Sequence, residues 1–405
     1  MKTKSPKKIL ITFGRSFHAL ELARQLNAAG HIVYIADSIR TYVAKYSNAV
    51  KKCFKVPSPR FHPEEYITAL IRIVNQESID FLLPVYEETT QLANAIDRFP
   101  KSCKLFCPNF DLYLTLHNKW SFQSKLQELG IPSLKAALIS HRDDLKKLDF
   151  TKPFALKACY SRASQDVRKI YPNQSIDALP IEPHNPWIAQ EWLEGNKFCT
   201  YSICHEGEIY AHATYPVKNA IDGNSCLIFE NASHQGIYQW TADFVKKVNY
   251  TGQIAFDFIE SPCGQLFAIE CNPRATSGLL LFNEKSRLDK AFFKENTSPL
   301  LPAHNARIQI ATGMLLYGWR KSAIKNNNFF KFLKTFCSTR DVVFRANDLK
   351  PFLFEPLVFA SLIKNSFKNK LSIPSYYTHD HDWNGEALNL ETAIANAPQT
   401  QSFDP

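Results

Sequence analysis

The sequence lacks an excess of glycine or proline, sequence repeats and paired cysteines, the features that mark fibrous, disordered, repeat and zinc-binding proteins. Glycine and proline, with 13 and 23 residues among 405, are not enriched, and no repeat or low-complexity tract occurs. None of the ten cysteines belongs to a CxxC pair, and the closest two, Cys103 and Cys107, have no histidine at zinc-site spacing. Scattered free cysteines in a large chain are typical of a reduced, cytoplasmic protein.

Long hydrophobic runs are also missing. The longest apolar run near the C-terminus, residues 351–363, is interrupted by Glu355 and Pro356, and it is shorter than the roughly 20 residues that span a bilayer. Residues 1–8 are basic, but the apolar run 9–13 that follows has the length of a strand rather than of a signal-peptide core. With 45% apolar residues, the chain can instead bury two or three domain cores. We therefore expect a cytoplasmic, multidomain protein.

The charge is uneven along the chain. The formal net charge is +10; residues 287–370 hold 15 Lys and Arg against 5 Asp and Glu, whereas residues 371–405 hold no base and 5 acids. Within the basic segment, residues 329–336 (FFKFLKTF) interleave aromatic side chains with lysines. That pattern suits contact with nucleic acid or a membrane. We favour a helix that packs its aromatics inward and leaves its lysines in solvent.

The N-terminal part alternates strands and helices. Residues 8–13 predict a strand, 16–29 a helix closed by Gly30, and 31–36 a second strand that ends at Asp37, which makes a β-α-β unit. A dinucleotide site would use Asp37 for the ribose, but the turn after the first strand has one glycine where the fingerprint has three. We therefore predict a Rossmann-like structural domain.

Loops at the carboxyl ends of such strands face the ligand crevice of an α/β sheet. Residues 14–16 follow the first strand, and residues 85–88 follow a later strand at 79–84. Arg15 and Glu87 are therefore candidate substrate contacts, with ordinary surface loop residues as the alternative.

After Pro132 the pattern changes to antiparallel strands with interspersed helices. Residues 154–158 (FALKA) predict a strand that carries Lys157, residues 187–193 predict another, and a hairpin turns at 205–207. This part therefore predicts an α+β domain.

The most informative stretch is 254–274, IAFDFIESPCGQLFAIECNPR. It predicts two strands joined by a turn, with Asp257 on the first and Glu270 and Asn272 on the second. Because residues i and i+2 share one face of a strand, Glu270 and Asn272 project together, and an antiparallel partner brings Asp257 beside them. Three oxygen ligands suit Mg²⁺, which completes its shell with water and phosphate oxygens. Arg274 follows on the same side, where a guanidinium can stabilise a transferring phosphoryl group.

The order F-D-F-I and then E-C-N-P-R resembles the metal-binding end of the ATP-grasp superfamily, in the carboxylate–amine ligase group with cores like those of carbamoyl-phosphate synthase and D-alanine–D-alanine ligase. The resemblance covers roughly residues 115–283 and implies an α/β and α+β chain: a Rossmann-like domain, then two α+β subdomains that clasp ATP. The expected domains are a Rossmann-like domain (1–115), a subdomain with phosphate loop and adenine linker (116–195), a subdomain with the metal site (196–320), and a basic, aromatic extension with a flexible tail (321–405).

The resemblance also implies roles for individual residues. Asp257, Glu270 and Asn272 would hold one or two Mg²⁺, or Mn²⁺ in its place, and Arg274 would be catalytic. ATP would be held by lysines, loop hydroxyls and the strand Q-E-W-L-E-G: Lys119, Lys157, Ser161, Ser164, Gln190, Glu191, Trp192, Leu193, Lys197 and Lys218. The substrates would meet loop residues: Arg15, Glu87, His234, Ser277 and Gly278.

One departure from the family pattern concerns the phosphate loop, residues 159–166 (CYSRASQD), which is also the candidate lid. It has no glycine, although glycines there let backbone N–H groups wrap the phosphates. The hydroxyls of Ser161 and Ser164, with Arg162, could substitute, since arginine pairs well with phosphate.

A second departure concerns the ribose. The residue two after Gly195 is often a glutamate in the family, but here it is Lys197. Glu194 could serve instead.

Together these features predict an ATP-dependent ligase that joins a carboxylate to an amine through an acyl-phosphate, releasing ADP and phosphate. The family often forms dimers, which makes a homodimer an expectation as well. The two departures motivate an alternative, a non-catalytic ATP-binding or regulatory module. In the C-terminal part, residues 308–319 predict a helix that closes the ATP-grasp domain, and H-D-H-D at 379–382 is interpreted as an exposed polar loop in preference to a metal site.

Overall fold

The computed structural model describes most of the chain. The described residues are 5–148, 151–162, 167–172, 174, 176, 179–218, 220–221, 225–318 and 329–388.

The N-terminal region is a parallel sheet with helices on both faces. Its elements are β1 (Lys8–Ile11), α1 (Phe17–Ala28), β2 (Ile32–Asp37), β3 (Val50–Lys55), α2 (Pro63–Glu77), β4 (Phe81–Leu83), α3 (Thr89–Asn94), β5 (Lys104–Leu105) and α4 (Phe110–His117). The strand order is β3-β2-β1-β4-β5, with every pairing parallel. This is the order of the first five strands in doubly wound nucleotide-binding sheets.

Residues of β1 alternate between the two faces of this sheet. Ile9 and Ile11 are buried in the cluster that contains α1, whereas Leu10 is buried in the cluster that contains α2, as a period of two requires. The turn from β1 into α1 needs Gly14, because a Cβ there would lie 2.2 Å from Cγ2 of Ile35. That close packing fixes the start of α1, and with it the side chains at the carboxyl edge of the sheet.

The second region is an antiparallel sheet preceded by one helix. Its elements are α5 (Lys119–Glu128), β6 (Ala136–Ile139), β7 (Phe154–Ala158), β8 (Val167–Ile170) and β9 (Trp187–Glu191). The strand order is β6-β9-β7-β8. The predicted helix entering this region and the strand with Lys157 are both present.

The third region is a larger antiparallel sheet. Its elements are β10 (Asn196–His205), β11 (Glu208–Pro216), β12 (Ala220–Ile221), β13 (Ser225–Cys226), β14 (Ile228–Glu230), α6 (Gln235–Lys247), β15 (Gly252–Glu260), β16 (Leu266–Asn272) and α7 (Leu288–Phe292). The order β11-β10-β15-β16 places the predicted hairpin at one edge. One face packs on α6 through an aromatic cluster that includes Trp240, Phe244 and Phe256.

The C-terminal region contains β17 (Arg307–Gln309), α8 (Ala311–Gly313), α9 (Phe329–Ser338), β18 (Arg340–Asp341), α10 (Lys350–Asn369) and α11 (Ile373–Thr378). The predicted helix over 308–319 is partly wrong, because the segment begins as β17 and turns helical only at Ala311, continuing as a π-helical turn at Met314–Gly318. β17 pairs with β14 and β18, which ties this region to the third one. Among the helices of the described residues, none is long and apolar enough to cross a membrane.

Helix α9 does not pack its aromatics as predicted. Phe332 is buried in a cluster with Met314, and Phe336 packs against that cluster. Phe329 and Phe330, however, are 53% and 83% exposed. The expectation that this run turns its aromatics inward is therefore wrong for two of its four phenylalanines.

Residues 373–388, here called the C-terminal strap, return to the N-terminal sheet. Asp380 accepts from Nη1 of Arg15 at 2.9 Å, and the ring of His381 packs on Phe13 with centroids 4.6 Å apart. The H-D-H-D segment is therefore not an exposed polar loop, because Asp380 and His381 are buried by these contacts. No group of three or more His, Cys, Asp or Glu side chains suited to a metal ion occurs in the described part of the chain, this segment included. The tail predicted beyond it, residues 389–405, lies outside the described residues.

Candidate active site

A cavity of about 610 Å³ lies where the three regions meet. One wall is the second region's sheet, the opposite wall is the edge of the third region's sheet, and the N-terminal region contributes the far end. The charged and polar residues that line it include His18, Tyr86, Lys157, Arg162, Lys169, Gln190, Glu191, Lys197, Asp257, Glu270, Asn272, Arg274, Thr276 and Ser277.

The third region presents its carboxylates as a pair. Asp257 on β15 lies directly opposite Glu270 on β16, and Asn272 follows two residues along on the same strand. Burial and the neighbouring charge of Glu270 raise the pKa of Asp257 to about 6. Two carboxylates held this close repel each other, and a divalent cation relieves that repulsion. The donor set, two carboxylates and one amide oxygen, fits Mg²⁺, which keeps positions for water and phosphate.

Lys119 links the carboxylate pair to the phosphate loop. Its Nζ lies 3.4 Å from Oε1 of Glu270 and donates to the carbonyl oxygen of Ser161 at 2.7 Å. Its backbone N–H donates to the carbonyl oxygen of Cys159 at 3.2 Å. The first residue of α5 therefore holds the start of the loop beside the carboxylates.

Lys157 is buried on β7 and lines the cavity. Its Nζ donates to Oε1 of Gln190 on the adjacent strand at 2.7 Å. Burial lowers its pKa to about 8, helped by the charge of Lys119 and opposed by that of Glu270. Nε2 of Gln190 is buried and has no hydrogen-bond partner among the described residues, so this pair offers an ammonium and an unused amide donor to a ligand.

The linker after β9 borders the same cavity. Leu193 lines it, and no hydrogen bond to the backbone N–H of Leu193 occurs within the described part of the chain. Trp192 is held by its own N–H, which donates to the carbonyl oxygen of Pro153 at 3.0 Å, and by Lys169, whose Nζ lies 4.5 Å from its ring centroid. Glu194 is exposed and pairs with Lys169 at 3.0 Å, outside the cavity lining.

Two described side chains of the predicted phosphate loop, those of Ser161 and Arg162, are already bonded to other protein groups. Oγ of Ser161 donates to the carbonyl oxygen of Ala158 at 3.1 Å. Nε of Arg162 donates to Oε1 of Glu87 at 2.8 Å, and its Nη2 donates to the carbonyl oxygen of Trp383 in the C-terminal strap at 2.6 Å. Ser164 and the rest of the predicted lid lie outside the described residues.

Glu87 is buried and already paired with other protein groups, so it is not free to bind a ligand. Burial acts to raise its pKa, but the charges of Arg162 and Arg274 outweigh burial and hold that pKa well below its usual range. Its Oε2 also accepts from the backbone N–H of Trp383 at 3.2 Å. Glu87, which was predicted to contact the substrate, instead contacts two arginines and the C-terminal strap.

Arg274 and His18 both line the far end of the cavity. Nη2 of Arg274 lies 3.5 Å from Oε1 of Glu87, and its guanidinium lies 4.8 Å from the ring centroid of Tyr86. Nε of Arg274 and both ring nitrogens of His18 are buried without a hydrogen-bond partner among the described residues. Burial and the charge of Arg274 lower the pKa of His18 to about 4, so the imidazole is neutral at pH 7.

The sequence analysis missed His18 and Tyr86. Tyr86 lies beside Glu87 in the loop after β4, so the signal applied to Glu87 was available for it, whereas His18 lies in the first turn of α1, three residues after Arg15. Arg15 and Glu87, the residues chosen from the sequence, are each buried in an ion pair. His18 and Tyr86, which lie near them, line the cavity instead.

Several predicted residues lie away from the cavity. Arg15 is buried between Asp37 and Asp380, with Nη2 2.6 Å from Oδ1 of Asp37. His234 caps α6, accepting from the N–H of Ile237 at 3.2 Å, and lines a second cavity of about 420 Å³.

Lys218 and Gly278 are not part of the cavity lining either, and the same holds for Lys119, Ser161 and Glu87 described above. Lys218 is exposed, 3.9 Å from Glu230. Gly278 packs so closely on Tyr201 that a Cβ would lie 2.7 Å from it. Its neighbour Ser277 does line the cavity.

Solved structures with the same arrangement of regions exist, although no protein-family model and no curated protein sequence matches the chain. N5-carboxyaminoimidazole synthetase from Staphylococcus aureus, solved with ADP, superposes with a TM-score of 0.58 at 11% identity, covering 73% of this chain and 79% of that one. L-amino acid ligase from Bacillus licheniformis gives 0.55 at 15% identity, covering 72% and 77%. The protein has the ATP-grasp fold.

A third ATP-grasp structure, the biotin carboxylase domain of 2-oxoglutarate carboxylase from Hydrogenobacter thermophilus, was solved as a dimer with MgADP and bicarbonate. It superposes with a TM-score of 0.54 at 13% identity, covering 73% of this chain and 71% of that one. Identities this low establish a shared ATP-grasp fold and not a shared substrate. The mixed α/β architecture expected from the sequence is thereby confirmed at the level of the fold.

Proposed function

We propose that this ATP-grasp protein is an ATP-dependent ligase that joins a carboxylate to an amine through an acyl-phosphate and releases ADP and phosphate. The observation that carries the proposal is the convergence of three groups on one cavity: Lys157 with Gln190, the carboxylate pair with Asn272, and Arg274 with His18. Their residues come from all three regions of the fold. The three ATP-grasp structures above are all synthetases, ligases or carboxylases, and two of them were solved with bound ADP.

The nucleotide would lie between the two antiparallel sheets. Lys157 would neutralise phosphate charge, and the phosphate would in turn restore the full protonation that burial opposes. The backbone of Leu193 and the amide of Gln190 would take the adenine edge and the adjoining polar groups. Lys197 borders the cavity where the family often has a glutamate, so the ribose would be held without a carboxylate from that position.

Asp257, Glu270 and Asn272 would hold Mg²⁺, or Mn²⁺ in its place, against the phosphates. When bound, the cation supplies charge neutralisation of the phosphoryl group in transfer. The raised pKa of Asp257 supports this assignment, because a bound cation would offset the repulsion between Asp257 and Glu270.

The reaction then needs positioning more than a protein nucleophile. A substrate carboxylate oxygen attacks the γ-phosphorus, the bond from that phosphorus to the bridging β–γ oxygen breaks, and ADP leaves. The amine attacks the acyl carbon, loses a proton, and displaces phosphate as the carbon–oxygen bond breaks. Arg274, with one unused nitrogen, would stabilise negative charge on the substrate in both steps.

The acid substrate would bind at the far end of the cavity. Arg274 supplies a charged donor, and the neutral imidazole of His18 supplies one donor and one acceptor. A buried polar atom without a partner is costly, and three such atoms at one end of a cavity are explained if a polar ligand satisfies them. The hydroxyl of Ser277 and the ring of Tyr86 complete this end.

A second candidate function, a non-catalytic ATP-binding module, is favoured by the phosphate loop. Arg162, the loop residue that would compensate for the missing glycines, is held by Glu87 and the C-terminal strap. The carboxylate pair favours the ligase, because nucleotide binding alone does not require it.

The test is release of phosphate from Mg-ATP across a panel of acids, each supplied alone and with amines. Release that requires one acid and one amine, and that Glu270→Gln abolishes, is the expected result. Glu260→Gln is the matched control, because Glu260 lies on β15, outside the cavity lining. His18→Leu should raise KM for the acid and leave KM for ATP unchanged. ATP that protects the protein against thermal unfolding without any release over a broad panel would favour the binding module.

A further inference from the structure

The outward face of α10 is apolar. Leu349, Phe352, Leu353 and Leu357 are 42%, 43%, 66% and 53% exposed, and Pro356 and Ala360 are exposed on the same face. Their spacing of three and four residues is the period of one helical stripe. A surface helix normally turns such a stripe to the core.

The opposite face of α10 already has its partners. Val358 belongs to the core cluster of the N-terminal region, and Leu362 packs against that cluster. Phe354 stacks on Tyr46 with ring centroids 4.2 Å apart. The exposed stripe is therefore a second apolar face and not a mispacked first one.

Phe344 extends this apolar surface. It is 46% exposed, and its ring lies 5.2 Å from that of Phe352. Earlier in the same stretch of sequence, helix α9 also exposes Phe329, Phe330 and Leu333. Of the 16 large hydrophobic side chains that the described residues expose, 13 fall within 315–367. A concentration of this kind marks an interaction surface rather than ordinary scatter.

The same segment is strongly basic. Residues 315–370 contain 11 Lys and Arg and 3 Asp and Glu, a formal charge of +8. Lys350 is exposed at the start of α10, and Lys364 and Lys368 are exposed near its end. Asp348, one of the three acids, is buried against Arg24 at 2.8 Å, and two of the bases, Arg340 and Arg345, lie 3.9 Å and 2.7 Å from Glu21 of α1. The charge available at the surface therefore comes mainly from the lysines.

We propose that α10 and the adjoining exposed residues dock the protein on an anionic lipid surface, with the stripe from Leu349 to Ala360 at the level of the acyl chains and the flanking lysines at the headgroups. An apolar helical face bordered by lysines is the pattern of helices that lie in a membrane interface. Charge complementarity selects this occupant over a second copy of the chain, because two faces of the same positive charge would repel. Nucleic acid binds through phosphate contacts and by stacking its bases on aromatic rings, whereas the stripe from Leu349 to Ala360 is aliphatic except for Phe352.

The test is flotation of the full-length protein with phosphatidylcholine vesicles that contain or lack phosphatidylglycerol. Binding to the anionic vesicles only, weakened by salt, is expected. Leu353→Glu should lower the bound fraction at least about tenfold, because a carboxylate would enter the apolar stripe and meet the anionic surface. Leu301→Glu is the matched control, since Leu301 is 61% exposed and lies outside residues 315–370, and it should bind as the wild type does. Lys364→Gln with Lys368→Gln should reduce binding to the anionic vesicles selectively.

Three results would overturn the proposal. The first is equal vesicle binding by wild type and Leu353→Glu. The second is absence of vesicle binding together with a dimer in solution that Leu353→Glu dissociates, which would assign the face to a second copy. The third is absence of vesicle binding together with binding of an oligonucleotide that the paired lysine substitutions weaken, which would assign it to nucleic acid.

Discussion

The cavity is bordered on one side by the β15–β16 wall and on another by the loop that follows β7. Both carry charged side chains, but the charge in the loop is neutralised by a buried ion pair, whereas most of the charge on the wall is not. On the wall, Asp257 and Glu270 face each other, with the ammonium of Lys119 3.4 Å from Glu270 as the one ion-pair contact that the structure records for either. In the loop, Arg162 is neutralised by Glu87 and tied to the C-terminal strap. On the wall, the negative charge of the two carboxylates is largely unneutralised and can attract a ligand. In the loop, the positive charge of Arg162 already stabilises the fold through its ion pair. Substitutions in the two places should therefore change stability in opposite directions.

The largest effect is expected for Asp257→Asn. Turnover should fall by about 100-fold or more, because a cation ligand is lost, yet the free energy of unfolding at pH 7 should rise by about 1 kcal/mol. The folded-state pKa of about 6 lies above the unfolded value, so the ionised side chain destabilises the metal-free fold at pH 7. Near pH 4, where it is largely protonated in the folded state, the gain should shrink. Chemical denaturation at both pH values measures this, and a loss of stability at pH 7 would contradict it.

Arg162→Met should change the free energy of unfolding in the opposite direction. It leaves Glu87 buried with one arginine fewer, which should lower the free energy of unfolding by about 3 kcal/mol. Arg142→Met, at an exposed position, is the control and should be nearly neutral. Adding Glu87→Gln should recover part of the loss. If Arg162→Met instead kept its melting temperature and weakened ATP binding, the loop would belong with the wall as a ligand-binding element.

Lys157 gives a smaller, pH-dependent effect. Because its pKa is about 8, the affinity for metal-free ATP should fall roughly tenfold between pH 7 and pH 9 as the ammonium is lost. Lys157→Arg should remove most of that dependence, since arginine keeps its charge. Calorimetric titration at several pH values provides the measurement. A wild-type affinity that stays constant over this range would show that Lys157 does not contact the phosphates.

The smallest effect is expected for Lys218→Ala. This side chain is exposed and outside the cavity lining, so KM for ATP should change less than about twofold. Lys197→Ala, which removes a lysine that does line the cavity, should raise KM severalfold. Equal effects of the two substitutions would mean that the third region's sheet closes further over the nucleotide than the present geometry indicates.

The wall could be predicted because its information is local. Asp257 and Glu270 are 13 residues apart and joined by a tight turn, so strand alternation alone brings them to one face. The β-α-β unit and the strand with Lys157 were predicted for the same reason, from periodicity within a few residues.

The loop's environment could not be predicted because its partners are distant in sequence. Arg162 and Trp383 are 221 residues apart, and Arg162 and Glu87 are 75 apart. Charged residues are usually exposed, which is why H-D-H-D was expected in solvent; tertiary ion pairs reversed that preference for Asp380. His18 had no local signal of its own, since a histidine in the first turn of a helix is common.

The contact between Arg15 and Asp380 spans 365 residues, and it has a consequence for how the protein is made. Chains leave the ribosome from the N-terminus, and domains generally fold in that order. When the first β-α turn forms, Asp37 is therefore the one acidic partner of Arg15. The second partner becomes available only when nearly all of the described chain has emerged. Until the strap arrives, Asp380 cannot neutralise Arg15, and Trp383 cannot accept from Arg162. The cavity is thus completed late in biosynthesis. A nascent chain arrested before residue 373 would carry every proposed nucleotide ligand and still lack the strap residue that holds Arg162.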